Sequence, residues 1–486
     1  MDPAYRVGLE SIDREYDRYE CPVDGELPSW LSGTLFRNGP GRFEVGDHDL
    51  NHWFDGLAML RRFHIDEGRL TVSNRFLRSM EYNHVTEQGE LRCDQFGTTA
   101  PSSIVGRLAG LLSQELTDNA SISVDRIGTD LVAITETPNA VGFDPETLDT
   151  TGTSAPDDGV SLTGSLGHPH YDFDREMVVN MGVQFGRQSA YVLFERPAES
   201  QIRREIARLE VDRPAYFHSF GLTDRYAVVV ESPLRLSPLS LLSDQPFIES
   251  YSWDDHRDSQ LLVFDRPAGD VIGRVSVEPC FVFHHVNAFE RGDELVVDVI
   301  AFQDDTVIDS LSLDRLRSGE IPAPGGELRR YRLSVGEGTV VEETLQPGPL
   351  EFPMINYRQV TTQPYQYLYA AGHTDPEPKG LLNALVKFDL DRETRQVWSE
   401  PGVYPSEPVF VARDPPDTPG ADTDSPEDDG VILSVVLDTD AEQSALIVLD
   451  AASFSELARA ELPAAFPFGF HGQWYPTGSS VHRSMP

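Results

Sequence analysis

Lysine is nearly missing from this chain: Lys379 and Lys387 are the only two in 486 residues. The remaining cations are arginines, and the 39 Lys and Arg together face 80 Asp and Glu, for a formal net charge of −41. A surface of that sign repels phosphates and anionic headgroups, which excludes nucleic acid as a partner. So many acids with so little lysine suit a cytoplasm of high ionic strength, where a short Debye length damps self-repulsion. A halophilic protein is therefore expected. Cysteine is scarce and odd in number (Cys21, Cys93, Cys280), with no CxxC pair. That excludes a disulfide framework and a cysteine-based zinc site, and fits a reducing compartment. No apolar run approaches the ~20 residues that cross a bilayer. The opening MDPAYRVGLESIDREYDRYE has neither the basic nor the apolar region of a secretory signal. The expected location is cytoplasmic, at most peripheral on a membrane.

What the chain does contain is short β-rich runs broken by Gly, Pro, Asp and Asn, among them DRIGTDLVAITETP, EMVVNMGVQF, DRYAVVVESP and GVILSVVLD. Such a pattern, without βαβ alternation or a glycine-rich phosphate loop, predicts an all-β sandwich, barrel or propeller. No internal linker is visible, so residues 1–486 are expected to form a single domain. RDPPDTPGADTDSPEDDG (413–430) reads as a solvated loop, because it lacks calcium-loop spacing. Two stretches depart from the β pattern. SSIVGRLAGLLSQEL (102–116) carries Ile104, Leu108, Leu111 and Leu112 at helical spacing, and PLRLSPLSLLSDQPF (233–247) crowds Leu234, Leu236, Leu239, Leu241 and Leu242 into a proline-broken loop. Each is either core packing or an apolar patch that dips into a bilayer.

The organising stretch is FVFHHVNAFERGDELVVDVIAF, 281–302, with a polar turn at Glu290 to Asp293 between two β-rich runs. Strand alternation puts His284 on the face of Cys280, Val282 and Val286, and His285 on the face of Phe281, Phe283 and Asn287. Histidines beside β-rich runs recur at His168, His218 and His471, and carboxylates in similar settings are Glu136, Glu351 and Glu407. In chain order the seven are 136, 168, 218, 284, 351, 407 and 471. Their last four intervals are close to uniform, which suggests seven inner strands that each offer one residue near a common axis. Four neutral imidazoles suit Fe, Zn, Cu or Ni. Three carboxylates can accept the other ring N–H, fix the tautomer and raise ligand basicity. Four ligands on a six-coordinate ion leave two positions for O₂ or substrate. From the residues alone this is a metal-binding β-propeller, metal undecided.

These fragments also resemble a known family. GTLFRNGPGRFEVG, HWFDGLAML, TETPNAVGFDPETL, GHPHYDFD, YFHSFGLTDRYAVVVESP, FHHVNAFE, EFPMINY, YPSEPVFV and FHGQW stand in the order found in carotenoid cleavage oxygenases. The resemblance implies a seven-bladed β-propeller with a short helical and loop cap over the substrate entrance, and an Fe(II) centre held by His168, His218, His284 and His471. The acids behind them would be Glu136, Glu351 and Glu407. His170 and His285 are excluded from the ligand set. Thr135 falls where the family restricts access to an open iron position. Tyr216 is either a tunnel tyrosine whose ring faces positive charge on the polyene or a core tyrosine.

The implied reaction is that of a dioxygenase, an oxidoreductase with O₂ as co-substrate, splitting a conjugated double bond of a carotenoid into two aldehydes. FEVG with HWFDG, FDPETLDT, YFHSFG and EDDGVILSVVL resemble the branch that cuts β-carotene centrally to retinal, and its isomerase relatives. In that branch a segment after an EFGT-like motif docks on membrane. QFGTTAPSSIVGRLAGLLSQEL takes its place here without the basic, cysteine-containing part, and this tips the two apolar stretches toward peripheral membrane contact. The alternatives are eccentric or apocarotenoid cleavage, stilbene cleavage (which uses an early lysine this chain lacks), retinyl-ester isomerisation and a non-catalytic carotenoid-binding propeller. Oligomeric state is not legible.

Overall fold

The computed structural model describes residues 3–101, 116–154, 158–237, 240, 243, 245–319, 321–322, 324–375, 378–413 and 425–477. Its antiparallel sheets follow one another as the seven blades of a propeller. The first is built on Tyr16–Cys21, Gly33–Arg37, Leu57–Asp66 and Arg69–Phe76. The second runs from Ser123–Ile127 to Thr150–Ser154, the third from Gly164–Ser165 to Arg204–Val211, and the fourth from Gly221–Leu222 to Asp270–Val277. The fifth and sixth share one long strand, Thr339–Met354. It pairs with Gly326–Ser334 over its first part and with Tyr367–Gly372 over its last. The seventh holds Val403–Pro405, Val409–Ala412, Gly430–Asp438, Gln443–Asp450 and Glu456–Glu461.

Burial explains which runs take which place. Strands between neighbouring blades, such as Ser189–Pro197 and Ala384–Asp389, are buried on both faces and are mostly apolar, with Lys387 of the second held by Asp428. Outer strands such as Asp270–Val277 alternate between exposed and half-buried. The ring is closed twice over. Gly472–Pro476, near the C-terminus, pairs with Gly33–Arg37 of the first blade. Val23–Gly25, near the N-terminus, pairs with Glu456–Glu461 of the last. Closure removes the two open sheet edges that a linear array of blades would leave.

The organising hairpin is tighter than its polarity suggests. Phe281–Arg291 stays paired with Glu294–Phe302 up to Arg291↔Glu294, which leaves a two-residue turn with Gly292 at φ +62°, the left-handed conformation such turns need. A larger departure is that the ladder shifts register between Val282 and His285 and again between His285 and Asn287. Strict alternation therefore fails at the histidines, and Phe283 and His284, adjacent in sequence, both face the central cavity. The expected proline-broken loop at 233–247 also begins as a strand. Leu234–Leu236 pairs with Tyr251–Trp253, and both leucines are core residues, 2% and 0% exposed. The membrane-docking candidates Ile104, Leu108, Leu111, Leu112, Leu239, Leu241 and Leu242 lie outside the described residues. Among the described residues the cap over the cavity is made of short pieces. The 3₁₀ turns Trp53–Asp55 and Ile248–Ser250 and the helix Thr306–Ser310 line it, joined by residues 92–100.

Candidate metal centre

Each blade contributes one of the seven polar positions. His284 and Glu351 stand inside strands, both beside register shifts. The other five stand where regular pairing has just ended or paused: Glu136 after Asp130–Ile134, His168 before His170–Asp172, His218 before Gly221–Leu222, Glu407 between Val403–Pro405 and Val409–Ala412, and His471 before Gly472–Pro476. A regular ladder sends side chains alternately to the two sheet faces. The breaks free these seven to point along the ring instead.

The four imidazoles converge, with ligand atoms that lie within 4.8 Å of one another. His168 Nε2 is 3.0 Å from His218 Nε2, and His284 Nε2 is 3.4 Å from His471 Nε2. Behind them, His218 Nδ1 is 2.6 Å from Glu136, His284 Nδ1 2.6 Å from Glu351, and His471 Nδ1 2.6 Å from Glu407. A carboxylate only accepts hydrogen bonds, so Nδ1 carries the proton in these three and Nε2 keeps a bare lone pair. The bare lone pairs of His284 and His471, 3.4 Å apart, repel, and a cation between them removes the conflict. At metal–nitrogen distances of about 2.1 Å, ligands at right angles stand about 3 Å apart, as His168 and His218 do. The donor set therefore fits a divalent ion. His168 has no carboxylate partner among the described residues.

Electrostatics favour the neutral, ligating forms. Burial, with His471, His218 and His284 close by, pulls His168 well below the ordinary imidazole value. Burial lowers His471 to about 4, partly offset by Glu407. Burial pushes the Glu351 carboxyl up, but His284 and the backbone N–H of Phe352 outweigh it and hold it below the usual range.

The centre opens on a cavity of about 460 Å³, within the range of small-molecule sites. Trp53, Phe54, Phe96, Phe247, Tyr251, Phe283, Phe352 and Phe470 give it aromatic walls, and Thr135 and Tyr216 also line it. The Tyr216 hydroxyl donates to Glu136, 2.8 Å from each carboxylate oxygen, and its ring stacks at 18° on Phe281. His285 points elsewhere, to Ser219 Oγ at 2.9 Å and the Val230 N–H at 3.3 Å. His170 lies between the Tyr357 hydroxyl and the Phe220 carbonyl.

Two features are not found by reading the sequence. Arg37 donates to Glu407 at 2.9 Å and to the Phe470 carbonyl at 2.8 Å, at 1% exposure. Its only sequence signal is a charge inside the apolar run GTLFR. The aromatic walls come from scattered fragments (HWFDG, DQFG, EFP and FGF) that share no spacing.

Comparison with known proteins adds an independent line. The family described as retinal pigment epithelial membrane protein matches residues 9–476. The mitochondrial carotenoid-cleaving dioxygenase of Mustela putorius furo is 33% identical, over 97% of this chain and 96% of its own. The beta,beta-carotene 15,15'-dioxygenase of Mus musculus is 33% identical, over 94% and 89%. Among solved structures, cobalt-substituted apocarotenoid oxygenase of Synechocystis superposes with a TM-score of 0.84 at 26% identity, over 98% of both chains. A match along almost the whole chain, on a seven-bladed ring with four converging histidines, means that the chain belongs to the carotenoid cleavage oxygenase family.

Proposed function

We propose that this carotenoid cleavage dioxygenase splits β-carotene at its central double bond into two molecules of retinal, with Fe(II) held by His168, His218, His284 and His471. The observation that carries the reading is the convergence of four imidazoles, three of them backed by carboxylates, at the end of an aromatic cavity. Ferrous iron there would supply the unpaired electrons through which O₂ reacts with a closed-shell alkene. The net change breaks one C=C and one O–O bond and forms two C=O bonds, so no external reductant is consumed.

The chain's own residues do the rest. Glu136, Glu351 and Glu407 orient their imidazoles and raise their basicity. The apolar walls exclude water and bury the polyene, and their ring faces attract positive charge that develops along it. Tyr216 is placed for both tasks, holding Glu136 through its hydroxyl while its ring lines the cavity. Thr135, next to Glu136 and also on the cavity wall, narrows access to the centre.

The choice of β-carotene rests on the named activity of the mouse relative at 33% identity. Cleavage of an apocarotenoid by the same chemistry is the second reading, favoured by the Synechocystis structure. Iron-loaded protein at high salt, incubated with β-carotene in detergent under O₂, decides between them. Retinal as the sole aldehyde supports central cleavage. Two unequal aldehydes, or turnover of apocarotenals alone, support the second reading. An unchanged pigment spectrum leaves only a carotenoid-binding propeller.

We place the enzyme, as a single-domain protein, in a high-salt cytoplasm on the strength of its charge of −41, with peripheral contact to the bilayer where carotenoids reside. Among the described residues no helix is long and apolar enough to cross a membrane.

A further inference from the structure

Arg37 and Arg61 face each other across the paired strands Gly33–Arg37 and Leu57–Asp66, directly opposite in register. Both are almost completely buried, 1% and 3% exposed. Like charges directly opposite on neighbouring strands repel, and a buried charge is costly unless it is paired. Arg37 has Glu407. Arg61 has no carboxylate partner among the described residues. Its Nη2 donates to the Pro40 carbonyl at 2.7 Å, and its guanidinium lies 5.8 Å from the Phe466 ring. Its Nε is buried without a hydrogen-bond partner, and so is the hydroxyl of Ser406, the residue before Glu407.

Arg37, Arg61 and Ser406 line one small cavity of about 10 Å³, whose wall also includes Ser444, Leu437 and Phe466. That is room for a single small occupant. Ser406 also lines the main cavity, so the two spaces adjoin. Two guanidiniums and one carboxylate leave one positive charge over, and Arg61 Nε and the Ser406 hydroxyl beside it are buried without a hydrogen-bond partner.

We propose that this cavity is a binding site for one small monovalent anion of halide size, held by Arg61 and Ser406 and sharing Arg37 with Glu407. The occupant cancels the repulsion between the arginines and the cost of the unpaired Arg61 charge. Burial, with Arg37 nearby, lowers Arg61 only to about 9, so it keeps its proton at neutral pH. The assignment is independent of which carotenoid is cleaved.

Crystals of the iron-loaded full chain grown in sodium bromide test it directly. An anomalous bromine peak in contact with Arg61 Nε and Ser406 Oγ is expected. Water-like density there without anomalous signal overturns the proposal. In parallel, thermal melting is compared in sodium chloride and in sodium gluconate, whose anion is too large for the cavity, at equal ionic strength. The wild type should melt several degrees higher in chloride, and Arg61→Met should lose that difference. An equal difference in Arg61→Met counts against the site. If that variant does not fold, the bromide map decides alone.

Discussion

Arg37 Nη1 lies 2.9 Å from Glu407 Oε2, although 370 residues separate the two along the chain. Their meeting belongs to the closure of the ring, since Arg37 ends a strand of the first blade and Glu407 interrupts the seventh. The other oxygen of Glu407 takes the Nδ1 proton of His471, so the contact that seals the propeller also aims an imidazole. Arg37→Met would strand a buried carboxylate. We expect a loss of about 3–5 kcal/mol of stability in denaturant titration, with iron content reduced. Unchanged stability would mean that Glu407 finds another partner.

Tyr216→Phe removes the hydroxyl that holds Glu136 and keeps the ring. A hydrogen bond to a charged group contributes about 1.5–3 kcal/mol, so kcat/KM should fall by roughly ten- to a hundredfold with iron content unchanged. Tyr216→Leu removes the ring as well and should fall further. Equal losses in the two variants would leave the ring without a part in the chemistry.

His284→Ala should abolish both iron binding and turnover. His285→Ala should cost about 1–3 kcal/mol, because it frees the Val230 N–H inside the protein, while iron is retained. Metal analysis of the two purified variants separates the neighbours.

Stability should depend on pH through His52, which burial lowers to about 4 from the usual 6.5. Its Nδ1 accepts from Phe54 N–H and its Nε2 faces the Ile308 carbonyl, so the folded state holds it neutral. Between those values the unfolded chain binds more protons. Acidification from 6.5 to 4 therefore removes about 3 kcal/mol from this residue, with no further change below. Asp55 and Glu81, raised by burial to about 6 and about 7, contribute with the opposite sign. The measurement is thus the wild-type minus His52→Asn difference in unfolding free energy, which should rise with pH over this window and be level on either side.

The melting temperature should climb with salt, because a charge of −41 repels itself less as the Debye length shrinks. Dialysis into low salt should unfold the protein. A melting temperature independent of ionic strength would remove the halophilic reading.

Much of this is legible in the order of amino acids. β-Rich runs broken by turn residues announce an all-β fold, because local propensity and punctuation act over a few residues. The seven polar positions can be named in advance because each interrupts or ends such a run, and a charge or imidazole there needs a partner. Other features are settled only by the folded chain. Alternation assigns Phe283 and His284 to opposite faces, but the register shifts bring both to the cavity. Leu234 and Leu236 look like loop residues, yet Tyr251–Trp253 supplies the strand that pairs with them. Arg37 shows only as a charge in an apolar run, and its carboxylate comes from the other end of the chain. Propensity and patterning are properties of neighbours in sequence. Which charge meets which, where a ladder slips and which rings share a wall depend on contacts between segments far apart in the chain, and these exist only once the ring has closed.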